Sequence, residues 1–151
     1  MAVNSLVSGG PDGLPRNEAT TLRMHAVVAC SSLPLFLGTL LSDWAYASTY
    51  QVQWTNFADW LNAGGLMLAV VALVWAALAE ISQPWRRSGR RWLATALLAV
   101  TVVLGTLNAF VHAKDGWAAM PAAPVLSLLV LLAAAAASVV GLARLGGRAQ
   151  A

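Results

Sequence analysis

Four long apolar runs divide the chain: His25–Tyr46, Trp60–Ile81, Trp92–His112 and Pro124–Ala143. An α-helix needs ~20 residues to cross the ~30 Å hydrocarbon core of a bilayer, and each run is long enough. The composition fits a hydrocarbon solvent, with 59% hydrophobic and 10% charged residues, against roughly 25% charged in soluble domains. The expectation is an all-α integral membrane four-helix bundle, up-down-up-down with short connections. It occupies residues 23–145, between a flexible tail over 1–22 and a short tail over 146–151.

The formal charge is +3, but the arginines flank apolar runs and form no separate basic domain, so they do not point to nucleic acid. With four spans, both tails and the middle loop "SQPWRRSGRR" share one side. That side carries Arg16, Arg23, Arg86, Arg87, Arg90, Arg91, Arg144 and Arg148, leaving only Lys114 opposite. The positive-inside rule then predicts a bacterial inner-membrane protein with both termini cytoplasmic. Trp44, Trp54, Trp60, Trp85, Trp92 and Trp117 fall near span ends, as an interfacial aromatic belt requires.

Several features bear on the spans themselves. Ala45-Tyr46-Ala47 has the small-x-small look of a cleavage site, but the polar lead, Pro34, Asp43 and Trp44 argue for a retained span. Pro34 predicts a kink, with Ser31 and Ser32 placed to serve freed backbone groups. Gly64, Gly65 and the alanines 133–137 predict close helix approach. A repeated "LGTL" (37–40 and 104–107) is too short to argue duplication. Cys30 is the only cysteine, which rules out an intrachain disulfide, and it reads as a small buried hydrophobe.

Polar residues near the span ends are the candidates for chemistry. Asn108 and His112 are four apart and share a helix face, with Asp115 three further on. Asp43, ending span one, and Asp59, opening span two, belong to the same outer surface. Carboxylates beside an imidazole relay protons or seat a metal or quinone head group. Against this stands a plain reading, in which helix ends reach the head groups and Asp59 favours the helix dipole. Asn108 lies about one turn deeper than His112 and needs a partner. At the inner face, His25 and Glu80 either pair or snorkel to the interface. A bis-histidine haem b within one chain is excluded, because His25 and His112 lie a full span apart in depth. A single-histidine haem or a site shared between subunits remains open. Ser127 shares a side with His112, a proximity in depth alone. There is no P-loop, dinucleotide fingerprint, HExxH or CxxC motif.

The outer-end "NAFVHAKDGW" followed by "PVLSLL", with "RMHAVV" opening span one and "LLSDWAY…W…WLNAGGL" across the first hairpin, resembles a family of small four-span bacterial membrane proteins. That family is catalogued as domain of unknown function 2231. Where its members often carry a histidine-proline pair, His25 here precedes Ala26. The resemblance covers roughly residues 23–141 and implies importance for His25, Asp43, Asn108, His112 and Asp115. Relatives that look attached to periplasmic redox domains imply a membrane anchor or electron-transfer subunit.

Three functions follow as expectations. The first is a non-catalytic anchor or accessory subunit for a periplasmic partner, with a redox protein among the candidates. The second is a haem- or quinone-binding electron- or proton-transfer subunit with its site near His112, Asn108 and Asp43. The third, a small transporter, is weaker because no charge lies near a span midpoint. The bilayer is the one partner the sequence requires, and a homo-oligomer is compatible with it.

Overall fold

The structure, a computed structural model, describes residues 16–82 and 88–146. Five helices follow one another: α1 (Arg16–Thr49), α2 (Gln53–Ser82), α3 (Gly89–His112), the single-turn α4 (Gly116–Ala119) and α5 (Ala122–Gly146). Four of them are long and apolar enough to span a membrane. They form a square in which α1 packs on α2 and α5, and α3 packs on the same two helices. The diagonals are α1 to α3 and α2 to α5.

The buried positions keep one rhythm on every long helix. They are Ala29, Ser32, Phe36, Thr39 and Asp43 on α1, and Ala58, Asn62, Gly65, Ala69 and Ala72 on α2. On α3 they run Arg91, Ala94, Leu98, Thr101, Gly105, Asn108 and His112, and on α5 Ala123, Ser127, Val130, Ala134 and Ala137. Steps of three and four residues are the seam of a left-handed helical bundle. What fills the seam is unusual for water: alanine, glycine, serine, threonine and asparagine lie inside. Leu37, Leu41, Val70, Leu78, Val103, Phe110 and Leu132 lie exposed. A soluble bundle buries its large aliphatic side chains. Here hydrocarbon covers them, and small residues let the backbones approach. The chain is a multi-pass membrane protein.

Helices approach closely mid-bundle. A Cβ built on Gly65 would stand 2.8 Å from the Phe36 ring, and one on Gly105 would meet Leu66 at 3.2 Å. Phe36 is 1% exposed and packs with Ala69, Val130 and Ala134. Nearer the arginine-rich end a second apolar layer joins Ala29, Ala72, Leu98 and Ala137.

Helix ends depart from the sequence expectation for local reasons. Helix α1 already includes residues 16–22, expected as tail, directly after Pro15 in a stretch of mostly helix-compatible residues. Residues 1–15, 83–87 and 147–151, including Arg86, Arg87 and Arg148, lie outside the described residues. Ser88 caps α3 by accepting from the Arg91 amide, so Arg90 and Arg91 belong to the first turn of α3 and not to a loop. The fourth span starts at Ala122, which keeps Pro124 in the first turn, where no N–H is needed. Around Pro34 the serine hydroxyls donate to their own helix: Ser31 to the Val27 carbonyl and Ser32 to that of Ala29.

Candidate functional site

The seam carries its most polar residues to one level of the bundle, near the His112 end. Asp43 of α1 and His112 of α3 meet across the diagonal, Nε2 to Oδ1 at 2.8 Å. Ser127 of α5 donates its hydroxyl to the other oxygen, Asp43 Oδ2, at 2.6 Å. One turn deeper, the Asn108 amide nitrogen donates to Ser127 Oγ at 3.0 Å and to Asn62 Oδ1 of α2 at 3.3 Å. Asn62 donates in turn to the Gly105 carbonyl at 3.2 Å. Every long helix contributes. Asp43 and Asn108 are 0% exposed, Asn62 and Ser127 1%, and His112 7%. Tyr46, Ala58, Ala119 and Ala123 form the buried layer above them. Tyr46 holds its hydroxyl so near the α4 backbone that a Cβ on Gly116 would lie 2.8 Å away.

Hydrogen-bond chemistry fixes the protons. The second ring nitrogen of His112, Nδ1, lies 2.9 Å from the Asn108 carbonyl oxygen. A carbonyl only accepts, so Nδ1 carries a hydrogen. One proton therefore remains to be shared between Nε2 and Asp43 Oδ1, and the pair is neutral as a unit whichever atom holds it. Because the Gly105 carbonyl can only accept, the Asn62 atom facing it is the nitrogen, which turns the Asn62 oxygen toward Asn108. That fixes the Asn108 nitrogen toward Asn62 and leaves Asn108 Oδ1 buried without a partner.

This geometry separates the possible chemistries. Ser127 donates to the carboxylate and not to the imidazole, so it is not an activated nucleophile of the serine–histidine–aspartate kind. Both nitrogens of His112 are engaged, so axial ligation of haem iron would require dismantling the pair. His25 lies about 27 Å along α1 from Asp43, at ~1.5 Å per residue. Among the described residues no three His, Cys, Asp or Glu side chains are placed to hold a metal ion together.

The remaining sequence candidates fall elsewhere. Asp59 is exposed on α2, near enough to His112 and Asp43 to feel their charge, but it makes no hydrogen bond to them. Asp115 caps α4, accepting from the Ala118 amide at 3.0 Å. At the opposite end Glu80 takes Arg91 as its ion partner, Nε to Oε1 at 2.9 Å, with the two side chains 17% and 9% exposed. His25 reaches the Ala72 carbonyl at 3.0 Å and packs edge-on to Trp75, about two turns deeper than Glu80. Arg91→Met is expected to cost about 3 kcal/mol by stranding Glu80 in a low-dielectric site. Glu80→Met/Arg91→Met should recover most of that loss, measured by thermal unfolding in detergent.

Comparison with protein-family models, curated proteins and solved structures gives no match to the chain. The functional reading rests on the site itself. Sequence reasoning passed over Asn62, counted Arg91 only as an orientation charge and gave Ser127 no role. Asn62 had a legible signal: it is an amide one turn inside its span, as Asn108 is on α3.

Proposed function

We propose that the chain is a small inner-membrane accessory subunit that binds and releases one proton at the Asp43–His112 pair, in the service of a periplasmic partner. The observation that carries this is the 2.8 Å contact of His112 Nε2 with Asp43 Oδ1, between two buried side chains whose other polar atoms also have hydrogen-bond partners. An ionisable pair inside a membrane bundle is costly to keep and marks function by default. His112, the most exposed member, is the exchange point at its end of the bundle. Phe36 and the Ala29–Leu98 layer separate the pair from the opposite end, which favours one-sided exchange over transport through the bundle.

The orientation belongs to the same proposal. Arg23, Arg90 and Arg91 lie at one end and Lys114 at the other, which supports a cytoplasmic arginine end and a periplasmic His112 end. Exposed Trp44, Trp60 and Trp117 ring the His112 end and suit a head-group belt on which a partner docks. The resemblance to the four-span family rests on Asp43, Asn108 and His112 among others, and membership is part of this reading. Haem ligation by His112 is disfavoured by its two committed nitrogens.

Isotope-edited infrared and nitrogen NMR spectra of solubilised protein test the proton site. The Asp43 carboxyl and the His112 ring should change together in one transition as pH is raised, and Asp43→Asn should abolish it. Constant spectra from pH about 4 to 10 would overturn the reading. In a Cys30→Ser background, Lys114→Cys should label from the periplasmic side and Arg90→Cys should not. The reverse pattern would overturn the orientation.

A further inference from the structure

We propose that the arginine-rich end of the bundle holds one anionic phospholipid, an acyl chain inserted between α1 and α5 and the phosphate held by arginines at the rim. The site lies at the opposite end of the bundle from the Asp43–His112 pair. Its first support is a crevice of about 500 Å³, open mouth included. Ala26 and Ala29 of α1 and Ala137 and Gly141 of α5 line it, together with Ala94 and Leu98 of α3. Because α3 is diagonal to α1, the gap reaches into the inside of the bundle. Phe36 and the polar cluster fill the seam further along, but here its positions are mostly small. A Cβ built on Gly141 would meet no atom within 4 Å. Interiors are ordinarily close-packed. An apolar gap that opens beside lipid is filled by what lipid supplies, a hydrocarbon chain.

Length and charge select the lipid. The crevice follows α1 from Leu22 to Cys30, ~12 Å at ~1.5 Å per residue. One leaflet supplies ~15 Å of the ~30 Å hydrocarbon core, so a single acyl chain lies in the crevice for most of its depth. The sequence gives this side eight arginines against three acids, Asp12, Glu18 and Glu80. Arg91 is taken up by Glu80. Arg23 follows Leu22 at the mouth, and Arg90 lies four residues before Ala94, on the same face of α3 and one turn nearer the end. Both are exposed. Basic pockets between spanning helices bind anionic head groups. Ser138, 5% exposed, also lines the crevice, and its hydroxyl has no hydrogen-bond partner among the described residues. The ester carbonyl at the top of an acyl chain gives it one. A second copy of the chain brings the same excess of arginines to this end, which disfavours it as the occupant.

The test uses the full chain, delipidated in neutral detergent and offered phosphatidylglycerol or phosphatidylcholine with the same acyl chains. Native mass spectrometry should retain one phosphatidylglycerol per chain. Saturating phosphatidylglycerol should raise the thermal midpoint by about 5 °C, and phosphatidylcholine by clearly less. Gly141→Leu puts a side chain into the gap. It should keep or raise the midpoint without lipid and lose both phosphatidylglycerol responses. Arg90→Gln should weaken phosphatidylglycerol binding about fivefold, the worth of one arginine at an anionic surface, and leave phosphatidylcholine unchanged. Equal responses to the two lipids overturn the head-group site. Undiminished retention in Gly141→Leu overturns the crevice, as does an equal rise with glycerol 1-phosphate, which has no acyl chain. A dimer in the delipidated sample that Gly141→Leu dissociates assigns the gap to a second copy and overturns the lipid.

Discussion

Asp43→Ala is expected to cost about 3–5 kcal/mol, a large share of the ~5–15 kcal/mol that holds an ordinary folded domain. The substitution strands the His112 Nε2 and the Ser127 hydroxyl together inside the bundle. The loss comes mainly from those orphaned groups and only in part from the missing bonds. The companion experiment separates the two. Asp43→Leu with His112→Leu and Ser127→Ala removes the polar group on each side and should restore most of the stability. Thermal unfolding in detergent micelles reads both. If the triple variant is as unstable as the single one, the pair is needed for packing and its selection for proton chemistry loses its main support. If the triple variant is stable but no longer titrates, the site is maintained for function at the expense of stability.

Phe36→Ala should cost about 3–5 kcal/mol by opening a void at the close-packed mid-bundle layer. Phe36 fills the space that Gly65 leaves by having no side chain. The two positions are therefore coupled. Gly65→Ala alone pushes a methyl group into the ring and should destabilise by about 1–3 kcal/mol. In the Phe36→Ala background the same methyl occupies vacated space, so the combined loss should fall below the sum of the single losses. Additive losses, measured by a double-mutant cycle of melting curves, would mean that the ring and the glycine do not face each other. Loss of the ring should also admit water between the polar cluster and the opposite end, visible as faster amide exchange in α3 around Gly105.

The architecture was legible because it depends on quantities that a sequence displays directly: the length of an apolar run, its continuity and its flanking residues. Asp43, Asp59 and His112 were readable as level with one another, because alternate spans run in the same direction and their ends reach the same surface. Asp59 and Asp115 share that level but not the seam. The three-and-four rhythm places Ala58 inward, leaving the adjacent Asp59 exposed, and Asp115 lies beyond α3, where it caps the next turn. Asn62 and Ser127 were hidden for the opposite reason. They lie in the rhythm, between Ala58 and Gly65 and between Ala123 and Val130, but rotation about each helix axis shows only when the small residues are read as the inside. In a membrane the usual rule that large aliphatic residues face inward is inverted, and a hydropathy scan does not record facing. Arg91 was counted as an orientation charge because positive-inside reasoning uses the sign of a residue and ignores its partner.

The order of synthesis gives the diagonal contact a further consequence. Asp43 emerges from the ribosome 69 residues ahead of His112 and 84 ahead of Ser127. The first hairpin must therefore enter the bilayer with its acid lacking both final partners. The nascent chain has to carry that residue uncharged, or hold it at the head groups, until the last helix arrives. A chain truncated before α5 keeps Asp43 without its Ser127 partner and should be a preferred substrate for membrane quality control, read as faster turnover in a pulse-chase.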